Sequence, residues 1–311
     1  MESAVRQTTL GHKVSCSGIG LHSGSQVGMT VYPAQAHTGI VFRRVDVPTE
    51  HSFVPARFDA VCATHLGTTI ANRHGVTVST IEHLMAALWG AGLDNAMVEL
   101  DGPEVPIMDG SAEPFVFMLE CAGVVNLAAP RRVLRLRCPI EVRDSGSVAV
   151  AMPNPEGEEG CVVSIEIDFG HKMIDRQTSC YDFSEVTFKQ SLSRARTFGF
   201  LHEVEALRAR GLALGGSLDN AIVVGEDRVL NEDGLRYDDE FIRHKALDCL
   251  GDLYLAGCRI DARFTFVKPG HAINNRLLRA IFADAGAYSI ADGRMPAPAF
   301  PARQAAAAAY A

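Results

Sequence analysis

Several features of membrane, secreted and nucleic-acid-binding proteins are missing from this sequence. None of its eight cysteines forms a CxxC pair, and unpaired cysteines within apolar segments are typical of buried free thiols. The longest near-continuous apolar run, 84–93, is too short to span a bilayer, and the first seven residues contain no apolar signal core. Acidic residues outnumber basic ones by 37 to 29, which argues against a nucleic-acid partner. We therefore expect a soluble cytoplasmic protein without a transmembrane segment.

The composition and the order of predicted elements indicate an α+β fold. The 311 residues are 47% hydrophobic and 21% charged, which suits one large or two smaller globular domains. Strands are predicted in clusters separated by single helices, and this order occurs twice, as in a duplicated domain. We predict an N-terminal α+β domain over 1–126, a linker over 127–132 and a C-terminal α+β domain over 133–290. The Pro- and Ala-rich residues 295–311 are predicted to form a disordered tail.

One predicted helix, from about residue 240 to 256, carries two side chains that suit a metal. His244 and Asp248 are four residues apart and therefore lie on one face of the helix. Asp252 repeats the spacing. A pair with this spacing is more often a hydrogen-bonded or solvated pair than a metal site, so the pattern alone leaves both interpretations open.

A second predicted helix begins with the adjacent residues Glu82 and His83. Two histidines and an aspartate would form a three-ligand zinc site with an open position, which is typical of a catalytic metal. Glu82 would then stand beside the metal as a candidate general base. An acidic residue in the first helical turn also suits the helix dipole, which is the structural alternative.

Eight motifs in order make a specific family resemblance. They are Ser17-Gly-Ile-Gly-Leu-His-Ser-Gly, Thr80-Ile-Glu-His-Leu, Pro106-Ile-Met-Asp-Gly-Ser, Ser193-Arg-Ala-Arg-Thr-Phe-Gly-Phe, Gly215-Gly-Ser, Asn231-Glu-Asp-Gly-Leu-Arg, Arg243-His-Lys-Ala-Leu-Asp-Cys-Leu-Gly-Asp-Leu and Gly270-His-Ala-Ile-Asn-Asn. Over about residues 5–285 the chain resembles the UDP-3-O-acyl-N-acetylglucosamine deacetylases, the zinc amidases of lipid A biosynthesis in Gram-negative bacteria.

The resemblance implies a particular architecture and metal centre. It implies two similar domains, each a two-layer unit of sheet and helices, with the helices sandwiched between the two sheets. It implies one Zn²⁺ per chain held by His83, His244 and Asp248, although Fe²⁺ could occupy such a site. It further implies insert segments at about 57–75 and 198–217 that border the active site, the second forming an apolar passage for an acyl chain.

The implied reaction is hydrolysis of the 2-acetamido group of the sugar to a free amine and acetate. Zinc lowers the pKa of bound water and polarises the carbonyl. By resemblance, Glu82 is the general base and His271 is the second catalytic group, an imidazolium that stabilises the oxyanion or protonates the leaving nitrogen. Asp252 would keep the pKa of His271 high. Thr197 resembles the hydrogen-bond donor on the oxyanion side.

Further residues resemble substrate contacts, and each has a simpler structural interpretation. Phe198 and Phe200 would contact substrate, although spaced phenylalanines are more often core residues. Lys245 and Lys268 are candidate contacts to the UDP diphosphate, although each could be an ordinary surface lysine. Gly270 is also expected to line the substrate site.

The chain departs from the family pattern at two positions, and alternatives remain open. Gly67 replaces a cysteine that some members carry near the metal, and Glu203 replaces an aspartate. An amidase of another N-acyl sugar on the same scaffold is one alternative, and a binding module with a structural metal is another. A structural zinc site usually has four ligands rich in cysteine, which disfavours the last interpretation. We expect a monomer with a UDP-3-O-acyl-N-acetylglucosamine substrate.

Overall fold

The computed structural model describes residues 5–292, so the predicted tail at 295–311 lies outside the described residues. Strands outnumber helices in both halves of the chain. The strands of the first half are β1 Arg6–Leu10, β2 Val14–Ile19, β3 Gln26–Pro33, β4 Ile40–Arg44, β5 Phe53–Pro55, β6 Val61–Ala63, β7 Thr69–Ala71, β8 Thr77–Val78, β9 Ala96–Leu100 and β10 Val124–Pro130. Those of the second half are β11 Arg132–Leu136, β12 Ile140–Asp144, β13 Ser147–Met152, β14 Cys161–Ile167, β15 Gln177–Phe183, β16 Phe198–Phe200, β17 Ile222–Val224, β18 Arg259–Val267 and β19 Tyr288–Asp292.

Helices are fewer and are placed between strands. They are α1 Glu82–Gly90, α2 Glu113–Ala122, α3 Glu185–Thr187, α4 Leu201–Ala209, α5 Glu240–Leu253 and α6 His271–Ala283. A π-helical turn, Phe188–Leu192, follows α3, and short 3-10 turns cover Thr49–His51, Phe58–Ala60 and Tyr254–Ala256. Among the residues described, no helix has both the length and the apolar character needed to cross a bilayer.

The two main sheets share one strand arrangement. In the first half the order is β2-β3-β9-β4-β5, in which β4 and β9 are parallel and the other neighbours are antiparallel. In the second half the order β12-β13-β18-β14-β15 has its one parallel pair, β14 with β18, at the equivalent place. Strands β11 and β19 extend the second sheet beyond this common unit. The α+β fold with two similar units is therefore confirmed.

A layer of helices lies between the two sheets. Helix α2 contacts β2 of the first sheet, whereas α6 contacts β12 and β13 of the second, and α1 packs on both α2 and α5. Every residue of α1 is buried. Helices α1 and α5 approach closely because Gly251 has no side chain: a Cβ there would lie 2.1 Å from the carbonyl oxygen of Glu82. This close packing positions the first turn of α1 against the C-terminal part of α5.

Residues 127–132, predicted to form a linker, include the end of one strand and the start of the next. Strand β10 continues to Pro130 and pairs with β1, and β11 begins at Arg132. The end of β10 is difficult to predict from the sequence because it consists of alanines and a proline, which are uncommon in strands. The domain boundaries at 126 and 133 remain a prediction.

Each predicted insert segment is a small structural unit. The region 57–75 contains β6 and β7, which form a three-stranded antiparallel sheet with β8. The region 198–217 contains β16 and α4, and β16 pairs in parallel with β17. Helix α4 has no buried residue, so it lies on the surface.

Candidate active site

Three predicted metal ligands meet where α1 packs on α5. His83 lies in the first turn of α1, and His244 and Asp248 lie one turn apart on α5. Their possible ligand atoms all lie within 4.8 Å of one another. Asp248 Oδ1 is 3.6 Å from His83 Nε2 and 3.4 Å from His244 Nε2. All three residues are buried: His83 is 4% exposed, His244 2% and Asp248 4%.

The chemistry of these three side chains fits a metal ion. Asp248 Oδ1 is buried but accepts no hydrogen bond from any residue between 5 and 292, as expected of an atom that coordinates a cation. The Nδ1 atom of His244 lies 3.0 Å from the carbonyl oxygen of Ala195, which can only accept, so Nδ1 carries the proton and Nε2 is free to ligate. Burial lowers the pKa of His244 to about 3, which keeps the imidazole neutral.

Lys245 also contacts this centre. Its Nζ donates a hydrogen bond of 2.6 Å to Asp248 Oδ2, the carboxylate oxygen that does not face the histidines. Burial opposes ionisation of Asp248, but the Lys245 ammonium nearby holds the pKa of this carboxyl well below its usual range. The ammonium group also lies 5.8 Å from the centre of the Phe198 ring. The structure thus places Lys245 beside a predicted metal ligand and an aromatic side chain.

Glu82 is held beside the metal ligands in a fixed orientation. Its Oε2 accepts a 2.9 Å hydrogen bond from the backbone N–H of Thr68, and its Oε1 lies 3.8 Å from His271 Nε2. The side chain is 3% exposed. Burial raises the pKa of Glu82, against the opposing effect of His271 and His83. A carboxylate with a raised pKa is better suited to accept a proton near neutral pH.

His271 begins α6 and faces Glu82 on one side and Asp252 on the other. Its Nδ1 lies 2.8 Å from Asp252 Oδ2. Burial would lower the pKa of His271, but the charge of Asp252, followed by that of Glu82, raises it to about 9. The imidazole is therefore protonated at neutral pH. Glu82, His271 and Asp252 thus form a row of acid and base groups next to the three predicted metal ligands.

Two residues of this centre were not predicted from the sequence. Thr68 donates its hydroxyl to Asp252 Oδ1 at 2.6 Å, and Asn274 donates its amide to Asp252 Oδ2 at 2.8 Å. Both are buried. Asn274 belongs to the motif that contains His271, which was a usable signal, but Thr68 is marked only by its position after Gly67.

The structure places the predicted aromatic residues at different distances from the metal ligands. Phe198 packs edge-on against His244, with ring centres 6.2 Å apart. Phe200 is buried and packs on His171, away from the ligands. Thr197 lies at the start of this segment, where its backbone bonds to Gly110 and Ile222.

Lys268 and Gly270 lie on the connection that leads from β18 into α6. Lys268 has a left-handed backbone, with φ of 50°, and its Nζ is 3.0 Å from Asp168 Oδ2. Nearly half of its side chain is exposed. Gly270 precedes His271 in an extended conformation, and a Cβ there would meet nothing within 4 Å. Neither residue touches the metal ligands.

A cavity of about 320 Å³ opens beside the loop that holds Glu82. Both predicted insert segments contribute to its wall, through Leu66 and Gly67 from the first and Gly211 and Leu212 from the second. A larger cavity of about 470 Å³ lies elsewhere on the molecule. Neither cavity is lined by the residues that meet at the predicted metal centre, but Gly67 and Thr80 in the wall of the smaller one are close neighbours of Glu82 in the chain or in space.

Comparison with known proteins agrees with this arrangement. The sequence model of one family, described as UDP-3-O-acyl N-acetylglycosamine deacetylase, matches residues 7–283. Proteins named UDP-3-O-acyl-N-acetylglucosamine deacetylase from Shewanella sp. W3-18-1, Shewanella oneidensis and Shewanella baltica are each 48% identical to this chain over 286 residues. The similarity covers 91% of this chain and 92% of each relative.

Proposed function

Because this chain belongs to the UDP-3-O-acyl N-acetylglycosamine deacetylase family, we propose that it removes the N-acetyl group of a UDP-3-O-(3-hydroxyacyl)-N-acetylglucosamine. The products are the free amine and acetate, and the reaction is the committed step of lipid A biosynthesis. The observation that carries this proposal is the meeting of three metal ligands with Glu82 and the His271–Asp252 pair. A metal-dependent hydrolase of a stable amide uses a metal, a general base and a general acid.

The resident metal in this proposal is Zn²⁺, held by His83, His244 and Asp248. When bound, zinc would supply a Lewis acid for the amide carbonyl and lower the pKa of water at its open position. The residues described offer three His, Asp, Glu or Cys side chains within ligand distance, whereas a structural zinc site usually has four. This donor set favours a catalytic centre over a structural one, and Fe²⁺ would also fit it.

Glu82 acts as the general base in this proposal. Its Oε2 is occupied by the N–H of Thr68, which leaves Oε1 facing the space near His271. That oxygen accepts a proton from the attacking water. The pKa of Glu82, raised by burial, makes the carboxylate a stronger base than an exposed glutamate.

His271 acts as the general acid and as a cation that stabilises negative charge. With a pKa of about 9 it carries its second proton at neutral pH, and Asp252 holds the Nδ1–H. The Nε2–H is therefore free to donate to the developing oxyanion or to the departing amine nitrogen. An amine is a poor leaving group, so this protonation is needed for the C–N bond to break.

The substrate is held by groups on both sides of this centre in our proposal. Thr197 donates a hydrogen bond on the oxyanion side, and Phe198 packs against the sugar or acyl chain next to His244. Lys245 and Lys268 contact the diphosphate as point charges, with Gly270 close by. In substrate binding Lys245 would exchange part of its contact with Asp248 for a phosphate oxygen.

We further propose that one chain is sufficient and that the protein works in the cytoplasm. All ligands and acid–base groups come from the same chain, so the site needs no partner subunit. All eight cysteines are free thiols, as expected in a reducing compartment. Size-exclusion chromatography with light scattering would measure the mass in solution and so test the proposed monomeric state.

Acetate release tests the proposed function. Purified protein is incubated with zinc and a UDP-3-O-acyl-N-acetylglucosamine, beside the variants His244→Ala and Glu82→Ala. We expect turnover by the wild type, loss of metal by His244→Ala, and full metal content but little turnover with Glu82→Ala. If the wild type binds zinc but releases no acetate, the substrate is wrong, and an amidase of another N-acyl sugar becomes the better interpretation.

A further inference from the structure

We propose that Thr68 is a positioning residue that fixes both acid–base side chains of the site at once. The proposal rests on the proposed deacetylase function, because it assigns Glu82 and His271 their roles. Thr68 lies between β6 and β7 in the first insert segment and is 1% exposed. Thr68 is neither one of the predicted metal ligands nor exposed at the surface. In this proposal it therefore acts through the residues that it contacts.

The backbone of Thr68 orients the base. Its N–H donates to Glu82 Oε2 at 2.9 Å, and its carbonyl oxygen accepts a 3.3 Å bond from the N–H of Ile81 at the start of α1. The loop approaches this closely because residue 67 is glycine: a Cβ on Gly67 would lie 2.9 Å from Glu82 Oε1. The preceding Leu66 takes a left-handed φ of 64°, a strained conformation for a leucine. The loop is thus shaped to hold one carboxylate oxygen and leave the other free.

The side chain of Thr68 orients the acid through Asp252. Its hydroxyl donates to Asp252 Oδ1 at 2.6 Å, and no other residue in the described part of the chain donates to that oxygen. Asn274 and His271 share Asp252 Oδ2. With both oxygens engaged, the carboxylate cannot rotate, and the His271 ring is held with Nε2 toward Glu82.

This arrangement joins elements that are distant in sequence. Thr68 belongs to the first half, whereas Asp252 on α5 and His271 on α6 belong to the second. Thr68 therefore sets the position of the acid relative to the base across the contact between the halves. Hydrogen-bond partners of metal ligands typically contribute about 10- to 100-fold to activity, and we expect a similar order for this partner of the acid and base.

The central test replaces the hydroxyl by a methyl group of similar size. We expect Thr68→Val to lower kcat about tenfold with KM changed less than about twofold, because the residue does not touch substrate. Thr68→Ser restores the hydroxyl and should keep kcat within about threefold of the wild type. Thr77→Val, in neighbouring β8, is the matched control and should leave kcat unchanged. Zinc content and melting temperature are measured for every variant.

A double-mutant cycle separates a positioning role from a merely structural one. If Thr68 acts through Asp252, then adding Thr68→Val to Asp252→Ala should lower kcat by less than about twofold, since the acceptor is already gone. An equal loss of kcat in both backgrounds would overturn the proposal, as would an unchanged kcat in Thr68→Val. A general loss of folding appears instead as a lower melting temperature in both backgrounds.

A spectroscopic readout keeps this inference separate from the proposed function. In ¹H–¹⁵N spectra of the imidazole groups, Thr68→Val should shift or broaden the Nδ1–H signal of His271, and Thr77→Val should not. His271→Gln assigns the signal. If the wild type released no acetate, the deacetylase assignment would fail, yet this spectrum would still decide whether Thr68 positions His271. An unchanged signal overturns the proposal.

Discussion

Replacing Asp252 with asparagine should move the alkaline limit of activity toward neutral pH. Asp252 is the main group that raises the pKa of His271, from an ordinary 6.5 to about 9, against the opposing effect of burial. The proposed acid works only as an imidazolium, so wild-type activity should decline as the pH rises through about 9. Without the carboxylate, His271 loses its proton at a lower pH, although Glu82 still favours the charged form.

The size of this effect follows from the same pKa. A rise of two and a half units corresponds to about 3 kcal/mol of interaction favouring the imidazolium. Since Glu82 supplies part of it, we expect the alkaline midpoint of kcat/KM to fall by about one to two units in Asp252→Asn. The assay is acetate release between pH 6 and pH 10.5, with zinc content measured at each pH.

Stability should follow the same linkage. A group whose pKa is raised by folding stabilises the protein below its unfolded pKa, and this contribution disappears as the pH rises through the folded value. Urea unfolding should therefore show a larger difference between wild type and Asp252→Asn at pH 6 than at pH 10. Asp59→Asn, which removes a surface carboxylate paired with Arg57, is the control. An alkaline limb that stays near pH 9 in Asp252→Asn would refute the reasoning.

Three further perturbations test the metal, the base and the packing that unites them. Glu82→Gln should keep its zinc but lose about 10²- to 10⁴-fold in kcat, measured by acetate release beside metal analysis; loss of zinc would contradict its role as base. Chelation should abolish activity while the circular dichroism spectrum stays native, and unfolding on chelation would point to a structural metal instead. Gly251→Ala should destabilise the protein by about 1–3 kcal/mol in urea, because its Cβ would meet the Glu82 carbonyl oxygen. Gly199→Ala, whose Cβ would make only ordinary contacts, should change stability little.

The fold was predictable from the sequence where periodicity and turn residues agree. Helix α5 and its 3-10 extension cover the predicted 240–256, and the predicted α+β class is confirmed. The predicted linker contains strand residues that were not predicted, because the end of β10 is recognisable only through its partner. That partner, β1, is more than 110 residues earlier in the chain. Pairing with β1 extends the strand from Val124 and Val125 through alanines and a proline that do not favour strands themselves.

The candidate site was also predictable only in part. The spacing of His244 and Asp248 put both on one helix face, and the structure brings them to His83 as predicted. What the spacing could not show is the distance between α1 and α5, which depends on Gly251 at their contact. Thr68 was not predicted, because a single threonine in a loop carries no periodic signal. The roles of the individual site residues remain predictions that the variants above would test.

The repeated strand order of the two sheets has a consequence for how the metal and the fold depend on each other. Equivalent helices, α1 and α5, each precede the central strand of their own sheet, and each supplies residues of the one predicted metal site. An ion bound in this way belongs to neither repeat alone, so its affinity measures how firmly the two repeats are associated. By linkage, free zinc should raise the melting temperature with its concentration, and substitutions that loosen the contact between the repeats should weaken zinc binding even far from the ligands.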